Sequence, residues 1–150
     1  MDVTIRAANE MDFPAIFTLI KEFSIFQGTP EKVSITADQM VENKELFKCL
    51  VVETTDKHVI GFASFFFAYY SWSGKALYLD DLYIMESFRK QAIGKRLFHA
   101  VLDHAKKEHC NKMRWLVSNW NTNAIGFYKS IGANIDETDL TCDLTLITNR

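Results

Sequence analysis

Two adjacent carboxylates, Asp80 and Asp81, sit in the middle of an apolar run. A short way downstream, Arg89, Lys90, Lys95 and Arg96 crowd around the segment Gln91-Ala92-Ile93-Gly94. Carboxylates can pair with an ammonium group or take a proton from one. Cations at the start of a helix add to the unpaired N–H groups and the positive dipole end found there, which makes an anion site. Together the two clusters suggest a ligand with phosphate over the turn and its far end running along a strand past the acids.

The elements that must position these residues follow from the pattern around them. Residues 76–85 (ALYLDDLYIM) are rich in Leu, Tyr and Ile and predict a strand. Glu86-Ser87 breaks that pattern, and Ile93, Leu97, Ala100, Val101 and His104 then recur at helical spacing. Simple alternation sets Asp80 and Asp81 on opposite faces, with Asp80 beside Tyr78 and Leu82, so both reach one pocket only through a bulge. Taken alone, Arg-x-x-Ala-x-Gly reads more simply as a strand–turn–helix with a solvated basic face. A dinucleotide-binding turn does not match, because its glycine fingerprint is absent and the acids precede the turn. No Gly-x-x-x-x-Gly-Lys-Ser/Thr occurs, which excludes a Walker loop.

The 150 residues, 48% hydrophobic with 12 phenylalanines, argue against disorder and are enough for one domain, 1–150, with its own core. A net charge of -2 gives no basis for a nucleic-acid partner. No apolar run approaches a membrane span and MDVTIRAANE lacks a signal-peptide core, so no membrane association and a cytoplasmic location are expected. Cys49, Cys110 and Cys142 have no metal spacing and read as buried, reduced thiols. The four histidines form no ligand pair outside one helix face, so no metal is expected.

Val3-Thr4-Ile5-Arg6 alternates as a first strand. Asn9 and Asp12 form a capping-box pattern ahead of a helix that runs to about Phe26, with Pro14 tolerated in its first turn. Thr36-x-x-Gln39 opens a second helix over 37–44. Strands over 47–54 and 59–70 make an antiparallel hairpin, and Ser71-Trp72-Ser73-Gly74 turns into the central strand. Beyond the central helix come a strand over 113–118, a helix over 121–131 ending at Gly132, and a terminal hairpin from 134–136 and 140–147. The order βααβββαβαββ is an α+β arrangement, a mixed and mostly antiparallel sheet flanked by helices.

A second motif lies further on. Trp120-Asn121-x-Asn123-Ala124-x-x-Phe127-Tyr128-Lys129-x-x-Gly132-Ala133 resembles the Asn-x-x-Ala-x-x-Phe-Tyr…Gly-Ala signature of the GNAT N-acetyltransferases, and the Arg89–Gly94 segment resembles their Arg/Gln-x-x-Gly-x-Gly/Ala turn. The element order is also that of the superfamily. Within it, Trp72-x-Gly74-Lys75, Leu77-Tyr78-Leu79-Asp80-Asp81-Leu82-Tyr83-Ile84-Met85, Phe47-x-Cys49-Leu50-Val51 and Ile60-Gly61-Phe62 resemble the diamine branch, the spermidine/spermine and thialysine N-acetyltransferases.

The resemblance implies acetyl-CoA as co-substrate and a small primary amine as acceptor. Arg89, Lys90, Gln91, Ala92, Ile93, Gly94 and Lys95 would take its pyrophosphate. The backbone of Leu82, Tyr83 and Ile84 would hold the pantetheine arm and acetyl carbonyl after a bulge splays the strand. Asn121 and Ala124 would line the cofactor, and Tyr128 would be the general acid. Asp80 would contact the amine, directly or as a water-mediated base, with Asp81 second. Trp72 would form an apolar or cation–π wall, or a dimer contact, since that branch is dimeric. The aromatic run Phe65-Phe66-Phe67 on both faces of one strand also suits a homodimer.

Four departures stand out. Ala92 replaces the first glycine of the turn, and Asp80 replaces a longer Glu. Phe26-Gln27 replaces a Tyr-Glu pair used for polyamines, and Tyr70 replaces an acid. Fewer acids favour a thialysine-like amino acid or other small amine over an extended polycation. Phe26 and Trp115 are more typical of a core than of a ligand site. A protein-lysine or N-terminal acetyltransferase, or a catalytically weak CoA-binding sensor, are the alternatives.

Overall fold

The computed structural model describes residues 2–146, and the chain divides into two units, Met1–Trp115 and Leu116–Arg150. The first unit opens with strand β1 (Val3–Ala7) and a 3₁₀ turn, Glu10–Asp12, leading into helix α1 (Phe13–Phe26). The expected capping box forms there. Asn9 Oδ1 accepts from the Met11 N–H at 2.9 Å, and the Asn9 N–H donates to Asp12 at 2.8 Å. Short helix α2 (Ala37–Glu42) begins with the same device, Thr36 and Gln39 exchanging bonds of 3.2 and 3.0 Å. Both boxes satisfy N–H groups that a helix start leaves open.

Strands β2 (Lys48–Thr54), β3 (Val59–Tyr70) and β4 (Gly74–Ile84) then run antiparallel, helix α3 (Ile93–Lys107) crosses over, and β5 (Lys112–Arg114) returns parallel to β4. The sheet order is β1-β2-β3-β4-β5, and a parallel pair requires such a crossover. Phe13, Ile16 and Leu19 of α1 and Met40 of α2 bury against Cys49, Val51, Phe62 and Tyr83 on one face. On the other, α3 buries Ile93, Leu97, Phe98, Val101 and Ala105, and its His104 ring lies 5.3 Å from Phe65. Trp115 packs edge-on to Phe98 at 5.1 Å, in line with a packing role. Cys49 is buried and Cys110 half-buried, but Cys142 is exposed, which corrects the expectation of three buried thiols.

The second unit carries helix α4 (Thr122–Ser130), followed by Gly132 at φ +92°, the left-handed conformation of a helix stop. Two expectations about strands are corrected. Strand β5 spans only Lys112–Arg114 instead of 113–118, because its partner β4 departs from regular pairing just past Tyr78. No strand forms over 134–146, and Ile147 lies outside the described residues. Asp136 there folds into a turn, its Oδ1 accepting from the Thr138 N–H at 2.8 Å and the Thr138 hydroxyl at 2.7 Å. Leu140, Leu144 and Leu146 are all exposed, so the segment has no apolar face buried to fix a register.

Candidate active site

The register of β3 and β4 places the site. Ser64 faces Asp81 but Phe65 faces Leu79, so Asp80 is the extra residue of a bulge on β4. That bulge removes the obstacle alternation imposed, and the charge on Asp80 is felt at Asp81. Neither carboxyl has a hydrogen bond or ion pair among the described residues. Desolvation, and then the neighbouring Asp80 charge, push the Asp81 carboxyl up to about 6. Asp80 is more open to solvent, and crowding by the sheet raises its carboxyl less. Two acids side by side with no cation form a place prepared for positive charge.

The bulge also opens an edge. Strand β5 pairs with β4 only over Ala76–Tyr78, so residues 79–84 of β4 have a ladder to β3 and none to β5. By the alternation of an antiparallel pair, Tyr83 turns its backbone groups to β3, so Leu82 and the Ile84 N–H face that open edge, while the Ile84 carbonyl accepts from Arg89. Above them lies the start of α3. A Cβ on Gly94 would meet the Ile84 side chain at 3.9 Å and that of Leu82 at 4.0 Å, ordinary packing contacts, so this first turn lies directly against the same stretch of β4.

The start of α3 differs from that of α2 and from that of the 3₁₀ turn ahead of α1, both of which are capped. Ala92 occupies the N-cap position at φ +60°, with no side chain capping the first turn, and Lys90 is also left-handed at φ +65°. Two non-glycine residues in that region are strained, and an uncapped, cation-flanked helix start suits an anion such as a pyrophosphate. Gln91 and Ala92 are exposed, Lys90, Lys95 and Arg96 offer exposed cationic stems, and Ile93 is buried under the turn. Arg89 is used differently. Its Nε donates to the Ile84 carbonyl at 2.9 Å, and its guanidinium stacks 4.4 Å over Phe26 and 5.2 Å over Tyr83. Arg89 thus ties the turn to the strand end and to the last residue of α1.

That tie locates the α1 end. Phe26 is 56% exposed and therefore not a core residue, and Gln27 beside it is exposed. Tyr83 donates to Glu22 at 2.7 Å and stacks on Phe23, and burial together with the Glu22 bond pushes its phenol up to about 12. Trp72 is 100% exposed on its turn. The turn itself is braced, since Asn111 Nδ2 donates to the Ser73 carbonyl at 2.9 Å and Lys75 Nζ to the Glu108 carbonyl at 2.7 Å.

Beyond the bulge, the sheet face that α1 covers further along carries residues the sequence reading passed over. Phe66 stacks on Tyr78 at 4.9 Å, and Arg114 lies 4.3 Å over the Tyr70 ring. Strict alternation would set Tyr78 against Asp81, and only the bulge brings the two to one face, so the sequence carried no signal for the grouping. In the second unit, Asn121 Oδ1 accepts from the Ala124 N–H at 3.2 Å and caps α4, leaving its amide N–H₂ as donor. Tyr128 is half-buried one turn from the α4 end, and desolvation raises its phenol. Among the described residues no His, Cys, Asp or Glu cluster could hold a metal, and no helix is long and apolar enough to cross a membrane.

Comparison with known proteins accords with this geometry. Residues 13–133 match the model of the Acetyltransferase (GNAT) family. The chain is 33% identical to a thialysine N-epsilon-acetyltransferase of Mus musculus over 86% of this chain and 82% of that protein. It is 34% identical, over 86% of its own length, to a human spermidine/spermine N(1)-acetyltransferase-like protein 1, of which it spans only 20%. Among solved structures, an aminoglycoside acetyltransferase from an uncultured soil metagenomic sample superposes with a TM-score of 0.77 at 21% identity, covering 97% of each chain. The five-stranded mixed sheet, its bulged fourth strand and the matched family model together make this chain a member of the GNAT acetyltransferase family, an acetyl-CoA-dependent N-acetyltransferase.

Proposed function

We propose that this enzyme transfers the acetyl group of acetyl-CoA to a primary amine of a small molecule by direct attack. The observation that carries the reading is the pair Asp80 and Asp81, two carboxyls at a bulge with no cation partner among the described residues and beside an open strand edge. The relatives' names, which specify thialysine or spermidine/spermine, support the same class. The two units act as one domain over 1–150, as the match across 13–133 suggests.

Acetyl-CoA supplies the activated thioester. Lys90, Lys95 and the helix start over 91–94 hold its pyrophosphate on a turn that Arg89 braces, and the Leu82–Ile84 backbone aligns its arm and donates to the acetyl carbonyl. The amine arrives as an ammonium with a pKa near 10.4 and must lose a proton before attack. The bulge acids bind that ammonium, and Asp80 takes up its proton directly or through water, with Asp81, held near neutrality, second. Asn121 and Ala124 line the cofactor. Tyr128, matched by motif, remains protonated at neutral pH and donates to the departing thiolate. Trp72, Phe26 and Gln27 border the acceptor. The enzyme works in the cytoplasm as a homodimer, through the exposed Phe67, Tyr69 and Trp72, and sedimentation equilibrium at micromolar concentration checks the dimer.

Free-thiol release from acetyl-CoA with a panel of amines tests the function. A small amine with one cation near the reacting nitrogen should exceed spermine in kcat/KM, because few acids remain to pair with further charges. Spermine as the best substrate would show the pocket misread, and no release with any amine would favour a CoA-binding sensor.

A further inference from the structure

We propose that Arg89, which the turn motif alone would give to the phosphates, is instead a positioning residue for the acceptor side: it holds the exposed end of α1 against β4, so its loss is felt in amine binding and not in cofactor binding. This rests on the small-amine reading above and adds a residue to it.

Three contacts define the role. Arg89 Nε donates to the Ile84 carbonyl at 2.9 Å, and its guanidinium lies 4.4 Å from the Phe26 ring centre and 5.2 Å from that of Tyr83. The carbonyl fixes the guanidinium at the strand end, and both rings fall within cation–π reach of it. Tyr83 is itself anchored, with Phe23 stacked on it at 5.1 Å and its hydroxyl donating to Glu22 at 2.7 Å. Phe26 is the opposite case. It is the last residue of α1, 56% exposed, and is followed by Gln27 and by Gly28 at φ +75°. Helix ends fray, and Arg89 gives this exposed ring its tie to the sheet.

The tie lies beside the bulge acids. Asp81 pairs with Ser64 and Tyr83 with Phe62, so the two side chains share the α1 face of β4, two residues apart. The group stacked around Tyr83 is therefore the next one along that face from Asp81.

Charge and position predict opposite signs here. A cation beside a place for an ammonium repels it, so losing the charge alone would improve amine binding. If Arg89 acts by holding Phe26, losing it worsens amine binding. A lysine keeps the charge, which suffices for a phosphate, but it has no plane to stack and cannot serve the carbonyl and both rings at once.

The test follows thiol release from acetyl-CoA with putrescine, cadaverine, L-ornithine and L-lysine, and acetyl-CoA binding by calorimetry. For the amine the wild type uses best, Arg89→Gln should raise KM roughly 5- to 30-fold, the scale of a cation–π contact with a charge-assisted hydrogen bond. Both kcat and the acetyl-CoA Kd should stay within about threefold of wild type, and Arg89→Lys should not restore the amine KM. Phe26→Leu leaves Arg89 in place and covers the case in which the Arg89 variants fail to fold. It should raise the amine KM too, and the double variant should be no worse than Arg89→Gln alone. An acetyl-CoA Kd that rises roughly tenfold in Arg89→Gln and recovers in Arg89→Lys makes Arg89 a phosphate ligand and overturns the proposal. A lower amine KM in Arg89→Gln, an unchanged one in Phe26→Leu, or additive effects in the double variant overturn it as well. In each of those outcomes amine acetylation stands, whereas a wild-type enzyme that releases no thiol with any of the four amines overturns the small-amine reading and this proposal together.

Discussion

Two regions of the first unit carry carboxylates on or beside the sheet, and the chain treats them in opposite ways. Where β1, β2 and the entry to α1 meet, Arg6 donates to both oxygens of Asp12 and to Glu53, each at 2.8 Å. Those bonds hold both carboxyls below their ordinary range. At the β4 bulge, Asp80 and Asp81 have no such partner, and desolvation lifts both. The helical starts repeat the contrast, with Asn9 capping the 3₁₀ turn ahead of α1 and Thr36 capping α2, while Ala92 leaves the start of α3 uncapped and strained. Groups that a fold satisfies hold it together; groups that it desolvates and leaves unpaired are stabilised only by a ligand.

If raised groups serve chemistry, the largest effect should fall on Tyr128, whose phenol is also lifted by desolvation. Losing a general acid costs roughly 10²–10⁴-fold in turnover. Tyr128→Phe should lower kcat by that range and leave acetyl-CoA affinity nearly intact, which single-turnover kinetics and calorimetry can separate. Near wild-type turnover in that variant would remove Tyr128 from the mechanism.

The bulge acids should show a split between activity and stability. Asp80→Asn should lower kcat/KM for the amine by roughly 100-fold, without a matching loss of cofactor binding. Asp81→Asn should lower activity while making the protein more stable at pH 7–8, by about 1–2 kcal/mol after allowing for the solvent that still reaches the carboxyl. The sign follows from proton uptake. A carboxyl raised to about 6 binds protons in the native state before the unfolded one, so its penalty is present above that pH and fades as pH falls toward 4. Denaturant midpoints across that range check the prediction, and a destabilised Asp81→Asn at neutral pH would give this acid a structural role.

Much of this contrast was legible before the fold was known, and the reasons differ by residue. Capping boxes announce themselves through short side chains at fixed offsets, so Asn9–Asp12 and Thr36–Gln39 were readable. The turn at 89–94 and the strand before it were readable from composition and period. The bulge was not, because one extra residue changes no residue type and only the β3 register reveals it. That Phe66, Tyr78 and Arg114 share a face with Asp81 depends on that bulge and was hidden with it. The terminal hairpin was misread because alternating leucines predict a strand only if one face is buried, and these stay exposed.

At the satisfied corner the effect should be on stability alone. Asp12→Asn removes a charged partner of Arg6 and weakens the capping box, which costs about 2–3 kcal/mol at pH 7. Activity per folded molecule should not change. Because Asp12 is held below its ordinary 3.8, its stabilisation is full above that value and lost as pH falls through the lower native one. Wild type and variant should therefore converge in stability only in strong acid, the reverse of the Asp81 case. A change in kcat/KM at full occupancy would undo the division between the two regions.

The smallest effect belongs to Ala92, and it divides strain from obstruction. The residue sits at φ +60°, where a Cβ is unfavourable and glycine is not. Replacing it with glycine relieves that cost in the native state but loosens the unfolded chain, so the net gain in stability from Ala92→Gly should be about 0.5–1 kcal/mol. Acetyl-CoA affinity is a separate question, since strain already present in the fold does not change on binding. Affinity should tighten only if the methyl stands where the backbone must approach phosphate, and then by about 1 kcal/mol at most, roughly fivefold. Thermal unfolding and calorimetry on the one variant read the two terms independently. A gain in both places the methyl against the pyrophosphate, and a gain in stability alone turns it away from the ligand. Weaker binding would mean that the methyl helps to hold the turn, and that this start of α3, unlike its uncapped geometry suggests, is already organised for its anion by the chain itself.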